Sequence, residues 1–151
     1  MRKVIISGAG GFLGSGLVEA LKKTEEAEVY ALTSHPTDIQ ELTGANCHIV
    51  SLDDFIAGKV NCRGGVFVNC LFPTNADGFA LAKGLEKMGS VFLCAKKAGV
   101  GAFINVSSQS VYDSKRRQPA TESDAPCLGT PYATGKFCSE LLCDAVFDRI
   151  P

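Results

Sequence analysis

Two side chains near the end of the sequence have the types and spacing for proton transfer. Tyr132 and Lys136 stand four residues apart in Pro131-Tyr132-Ala133-Thr134-Gly135-Lys136, a separation that puts a phenol and an ammonium on one face of a helix. A positive charge beside a phenol favours the phenolate form, which suits the group to exchange protons near neutral pH. Upstream, Ser108 lies in Asn105-Val106-Ser107-Ser108-Gln109-Ser110-Val111-Tyr112, at the end of an apolar run where a hydroxyl would face the same crevice. A tyrosine and lysine at this spacing are common. The alternative reading of the pair is an exposed tyrosine beside a solvated lysine.

The second chemistry-bearing segment is Ser7-Gly8-Ala9-Gly10-Gly11-Phe12-Leu13-Gly14. It follows an apolar run and opens a helical pattern, the context in which a glycine-rich turn holds the pyrophosphate of a dinucleotide. Gly8 permits the tight turn, Gly10 or Gly11 lets the backbone approach the pyrophosphate, and Gly14 lets the helix pack closely on the sheet. Free N–H groups and the helix dipole would then hold the anion.

The elements that must position these residues can be read from periodicity. Five short apolar runs, Val4 to Ile6, Val29 to Leu32, Cys47 to Val50, Val66 to Val68 and Phe103 to Val106, are continuous rather than alternating, as in parallel strands covered on both faces. Helical patterns separate most of them. Leu13, Leu17, Ala20 and Leu21 mark one apolar face after the first strand, and Lys22 and Lys23 suit its C-terminus. Leu81, Leu85, Met88, Phe92 and Ala95 mark a long helix from about Asp77 to Ala98. Gly84 and Gly89 within it predict close packing against a neighbouring backbone, and Gly99 a C-cap. The last helix is expected from Pro131, a first-turn proline, to about Arg149, with Ala133, Phe137, Leu141 and Ala145 on one side. Asp113 to Gly129 reads as an exposed loop. The alternation predicts an α/β fold, a doubly wound, mostly parallel, Rossmann-like sheet with its ligand crevice at the strands' C-terminal ends.

Composition narrows the function. The 151 residues are 46% hydrophobic and 21% charged, near globular averages. No apolar run approaches the roughly 20 residues needed to span a bilayer, and the apolar stretch at the start is too short for a secretory signal, so no membrane partner and a cytoplasmic location are expected. A net charge of −1 without a basic stripe argues against nucleic acid. The seven cysteines lack any CxxC pair and read as buried reduced thiols, and no metal site is expected.

The glycines are best written GxxGxxG through Gly8, Gly11 and Gly14, and the turn resembles that of the short-chain dehydrogenase/reductase superfamily. Its Gly11-Phe12-Leu13-Gly14 ending resembles the extended branch, the NAD-dependent epimerase/dehydratase family. Ser107 to Tyr112 is similar to that family's SSxxVY segment, with Ser108 at the position of its catalytic serine. Thr121-Glu122-Ser123-Asp124-Ala125-Pro126 resembles its acidic loop, and Glu140 follows Lys136 at the family's usual spacing. The resemblance implies that Tyr132 exchanges a proton with a substrate hydroxyl, that Ser108 hydrogen-bonds the same oxygen, and that hydride passes to or from the nicotinamide of NAD or NADP. Lys136 would tune Tyr132 and hold the cofactor's ribose. The implied substrate is a nucleotide sugar or similar small molecule, and the implied assembly is a homodimer through the long and last helices, although a core-facing stripe gives the same pattern. A non-catalytic dinucleotide-binding module or sensor is the alternative function.

The cofactor site so drawn comprises Gly8, Gly10, Gly11, Phe12, Leu13 and Gly14, with Thr33 and Ser34 after the second strand, Leu52 and Asp53 after the third, Cys70 and Leu71 after the fourth, and Tyr132 and Lys136. Four departures from the family pattern stand out. The second strand ends Thr33-Ser34-His35 with no carboxylate for a ribose 2′-hydroxyl, which favours NADP over NAD. The adenine contact is open between Ser51 and Asp53. Phe72 is bulky for an alanine-rich strand end, and Glu86 stands where family members often carry asparagine. Family members continue for about as long again, so residues 1–151 are expected to form the NAD(P)-binding domain, without the later strands and the substrate-binding part.

Overall fold

The computed structural model describes residues 1–73 and 77–148. They form two compact units, the first of residues 1–71 and 90–106 and the second of residues 72–73, 77–89 and 107–148. Five strands, β1 (Arg2–Ser7), β2 (Ala27–Thr33), β3 (Cys47–Ser51), β4 (Val66–Asn69) and β5 (Ala102–Asn105), cover the five apolar runs. All pairings are parallel and the sheet order is β3-β2-β1-β4-β5. This is the doubly wound order, and strand progression reverses between β1 and β4.

Two packed groups explain why the strands are apolar throughout. On one side, Ile6, Val29 and Ala31 pack with Val18 of α1 (Phe12–Leu21) and with Ile39 and Leu42 of a 3-10 stretch, Pro36–Leu42. On the other, Phe67 of β4 stacks on Phe103 of β5 at 5.0 Å. Phe55 of α2 (Leu52–Ile56) meets Phe67 at 5.5 Å, and Phe92 of α3 (Gly78–Lys97) meets Phe103 edge-on at 4.9 Å. Each such aromatic pair adds about 0.5–1.5 kcal/mol beyond its buried area. Met88 and Phe92 are both wholly buried, which makes them core residues.

The buried stripe of α1 differs from the expected one. It runs through Gly14 and Val18, with Leu17 and Leu21 half-buried against it, whereas Leu13 is 45% exposed and Ala20 is exposed. The cause is Gly14: a Cβ there would lie 2.2 Å from the Gly8 carbonyl oxygen, so the helix seats on its glycine face.

In the second unit, α4 (Pro131–Val146) starts as expected, with Pro131 in its first turn and Thr130 Oγ1 accepting from the Ala133 N–H at 3.1 Å. Its buried face was not foreseen. Gly135, Lys136 and Ser139 are buried along with Ala133 and Val146, while Leu141 and Ala145 are exposed. Arg149 lies outside the described residues. The first half of α3 packs on α4, where a Cβ at Gly135 would lie 2.5 Å from Leu81 Cδ1. The close packing predicted at Gly84 is against the Pro73 side chain, 2.4 Å from such a Cβ, rather than against backbone. Gly89 makes only ordinary contact with Leu142, and Gly99 has the positive φ of a C-cap.

Candidate functional site

In the first unit the glycine turn sits at the C-terminal end of β1, beside the end of β4, where the strand order reverses. Gly8 has φ +74°, and a Cβ there would lie 2.7 Å from the backbone of Cys70 and Leu71. Gly8 and Gly14 are therefore demanded by packing. Gly10 and Gly11 are exposed, and a Cβ at Gly11 would meet only the Gly8 oxygen, at 3.3 Å. That open backbone leads into α1, whose N-cap Gly11 has no side chain to satisfy the first-turn N–H groups. Phe12, Leu13 and Gly14 thus carry donors that the helix leaves to an external acceptor. Phe12 is fully exposed, so its backbone rather than its side chain suits such a contact. These features fit a pyrophosphate.

The neighbouring residues divide by what they are already committed to. Thr33 Oγ1 accepts from the His35 N–H at 3.1 Å, while Ser34 and His35 are exposed. Ser51 Oγ caps α2 by accepting from the Asp54 N–H at 3.0 Å and donates to Asp54 Oδ2 at 2.8 Å. Leu52 is wholly buried and Asp53 is exposed. Cys70 donates its N–H to Ser7 O at 3.0 Å, and Leu71 donates its N–H to Asn69 Oδ1 at 3.3 Å.

Asn69 was not recognised in the sequence as a hub. Its Oδ1 also accepts from Ser7 Oγ at 2.6 Å, and its Nδ2 donates to Asn105 Oδ1 at 2.8 Å. This network links the ends of β1, β4 and β5 beneath the turn. The signal for it was there: Ser7 and Asn69 each follow an apolar run, and Asn105 interrupts the run from Phe103 to Val106.

In the second unit Ser108 caps a short 3-10 turn, Gln109–Val111. Its Oγ accepts from the Ser110 N–H at 3.2 Å and the Ser110 hydroxyl at 2.9 Å. Its own proton is not donated to any described residue. The neighbouring Ser107 donates to Oε1 of Glu140 on α4. Tyr132 is 40% exposed, while Lys136 is only 6% exposed. The Lys136 Nζ lies 4.4 Å from the Phe72 ring centroid and 5.9 Å from that of Tyr132. Phe72 meets Tyr132 edge to face, with ring centroids 5.1 Å apart. The structure thus brings Tyr132 and Lys136 together around Phe72. It shows no hydrogen bond between Ser108 and Tyr132.

The acidic loop is held by Asp124. Its Oδ2 accepts from the Thr121 N–H at 2.6 Å, from Arg116 at 2.7 Å and from the Thr121 hydroxyl at 3.0 Å. These bonds hold the carboxyl below its ordinary range, the Thr121 N–H most strongly. Burial pushes the Cys47, Cys62 and Cys94 thiols up, but only Cys47 and Cys62 are buried as expected of core cysteines; Cys70, Cys94, Cys138 and Cys143 are half-buried and Cys127 is exposed.

Residues 77–149, which contain the serine turn and the Tyr/Lys helix, match the model of the NAD dependent epimerase/dehydratase family. The match covers just under half of the 151 residues. The whole fold is shared with solved structures, UDP-sugar 4-epimerases among them. A UDP-glucuronic acid 4-epimerase from Bacillus cereus, in complex with UDP-glucuronic acid and NAD, superposes with a TM-score of 0.77 at 21% identity, over 97% of this chain and 52% of its own. A UDP-galactose 4-epimerase gives 0.80 at 20% identity, over 99% and 52%. The Bordetella bronchiseptica enzyme WbmH in complex with NAD+ gives 0.76 at 21%, over 97% and 52%. The chain thus spans about half the length of the epimerase structures it matches. No curated protein matches it by sequence. Among the described residues, no helix is long and apolar enough to cross a membrane.

Proposed function

We propose that this chain is the NAD(P)-binding part of an epimerase, dehydratase or reductase acting on a hydroxyl or carbonyl of a nucleotide-linked sugar. The observation that carries the reading is the state of the three side chains in the family-matching segment. Ser108 retains a proton to donate, Tyr132 presents an exposed phenol, and the Lys136 ammonium is buried beside it. Ser108 donates to the substrate oxygen, and Tyr132 exchanges a proton with that oxygen. Lys136 places a positive charge beside Tyr132 during the exchange.

The backbone of Gly10 and Gly11 and the N–H groups of Phe12, Leu13 and Gly14 would hold the pyrophosphate. The dinucleotide supplies the hydride donor or acceptor when bound. The end of β2 offers no carboxylate to repel a 2′-phosphate, which supports NADP binding at least as well as NAD. Exposed Ser34 and His35 are the candidate contacts. The sugar nucleotide is proposed from the solved epimerases, half of whose length has no counterpart here.

Tyr132→Phe in the complete enzyme tests this reading. The ring and its packing on Phe72 survive but the exchangeable proton does not, so kcat should fall on the order of 10² to 10⁴ with dinucleotide affinity nearly unchanged. Turnover close to wild type would refute the proton path.

A further inference from the structure

Lys136 is only 6% exposed, and withdrawing a cation from water is costly unless the site compensates it. Phe72 supplies one wall of that site. Its ring face lies 4.4 Å from Nζ, within the range of a cation–π contact. The same ring sets its edge against Tyr132, with centroids 5.1 Å apart at an interplanar angle of 79°.

The glycine at 135 makes this possible. A Cβ at that position would lie 2.9 Å from Phe72 Cζ, so the ring reaches α4 because the helix carries no side chain at position 135. The sequence resemblance predicted a small residue where Phe72 stands. Its size therefore has a use in this chain.

We propose that Phe72 is a positioning residue for the proton-transfer pair, clamping the Lys136 ammonium on its face and the Tyr132 ring on its edge. The inference rests on the reading of Tyr132 and Lys136 given above. It adds that the geometry of the pair is set from outside α4 by an aromatic side chain. A flat π surface is what the position requires, so tyrosine replaces Phe72 and aliphatic residues of similar volume do not.

The test is NMR of the chain labelled with ¹³C at the lysine ε-carbons, with the Lys136 signal assigned by its loss in Lys136→Arg. Ring current should place the Lys136 ε-methylene upfield of the other lysines. Phe72→Leu should return it to their range, and Phe72→Tyr should keep it shifted. Phe72→Met serves if the leucine variant does not fold. Gly135→Ala should reduce the shift by displacing the ring. A wild-type Lys136 signal among the other lysines, or one unmoved in folded Phe72→Leu or Phe72→Met, overturns the clamp.

In the complete enzyme, Phe72→Leu should lower kcat several-fold more than it raises KM, and Phe72→Tyr should restore it. Loss of thermal stability with unchanged kcat would reduce Phe72 to a packing residue and overturn the positioning role. Should Tyr132→Phe retain turnover while the Lys136 shift is present in wild type, the proton-transfer reading fails and the clamp geometry stands, so the two failures are separable.

Discussion

Ser107 donates its hydroxyl proton to the carboxylate of Glu140, one helical turn beyond Lys136 on α4. The bond anchors the serine turn to the helix that carries Tyr132 and Lys136. It uses Ser107 and leaves Ser108 available. A second tie comes from the Cys127 N–H, which donates to Val111 O at 2.8 Å.

Ser107→Ala should therefore destabilise the protein by about 1–3 kcal/mol, the cost of removing a hydrogen bond to a charged, half-buried group. Glu140→Gln, which keeps the shape and weakens the acceptor, should cost less. Urea unfolding of the two variants measures both, and a neutral Ser107→Ala would show that the turn is held by other contacts.

Gly14→Ala and Gly16→Ala should act in opposite directions although both lie in α1. A methyl at Gly14 would collide with the Gly8 carbonyl oxygen at 2.2 Å, whereas one at Gly16 meets nothing within 4 Å. Overpacking at Gly14 should cost about 1–3 kcal/mol and weaken dinucleotide binding with the displaced turn. Gly16→Ala should stabilise by about 0.5–1 kcal/mol, because alanine loses less backbone entropy in a helix. Thermal melts of both variants decide the matter, and a stabilising Gly14→Ala would contradict the seating of α1.

Titration calorimetry with NAD and NADP should show NADP binding at least as tightly. A marked preference for NAD would overturn that expectation. Ser34→Asp should shift the balance toward NAD, since a carboxylate there would accept from a ribose 2′-hydroxyl and repel a 2′-phosphate.

Asp124 gives the acidic loop a defined pH dependence. Its carboxyl is held below the ordinary value, first by the Thr121 N–H and then by Arg116 and the Thr121 hydroxyl. A group with a depressed folded-state pKa stabilises the fold above its unfolded-state pKa, and that contribution is lost as pH falls through the folded value. The segment around Thr121 should thus loosen below the usual carboxylate range, and Asp124→Asn should remove this part of the pH dependence. Hydrogen exchange of the Thr121 amide at neutral and acid pH reads the effect. Identical pH profiles in wild type and Asp124→Asn would count against it.

Much of the fold was legible because parallel strands and amphipathic helices leave local signatures. The five strands fall on the five apolar runs, and the long helix falls where its periodicity placed it. The glycine turn was recognisable because a tight turn, a close backbone approach and a helix seating each exclude a Cβ, and Gly8 and Gly14 bear the steric part of that argument out. The 3-10 stretch Pro36–Leu42 and the five-residue α2 went unread because neither is long enough to establish a period.

The sequence by itself determined the strand and helix order and the identity of the residues able to do chemistry, since those depend on local pattern and residue type. Tertiary structure alone decided their commitments. It buried Lys136 and exposed Leu141 on the same helix, against hydrophobic periodicity, because the face of α4 receiving Phe72 and Leu81 is the one with room at Gly135. It assigned Ser107 rather than Ser108 to Glu140, and it put Phe72 between Tyr132 and Lys136. Those contacts join residues more than 30 positions apart, and a contact at that separation is fixed by how elements pack rather than by spacing along the chain.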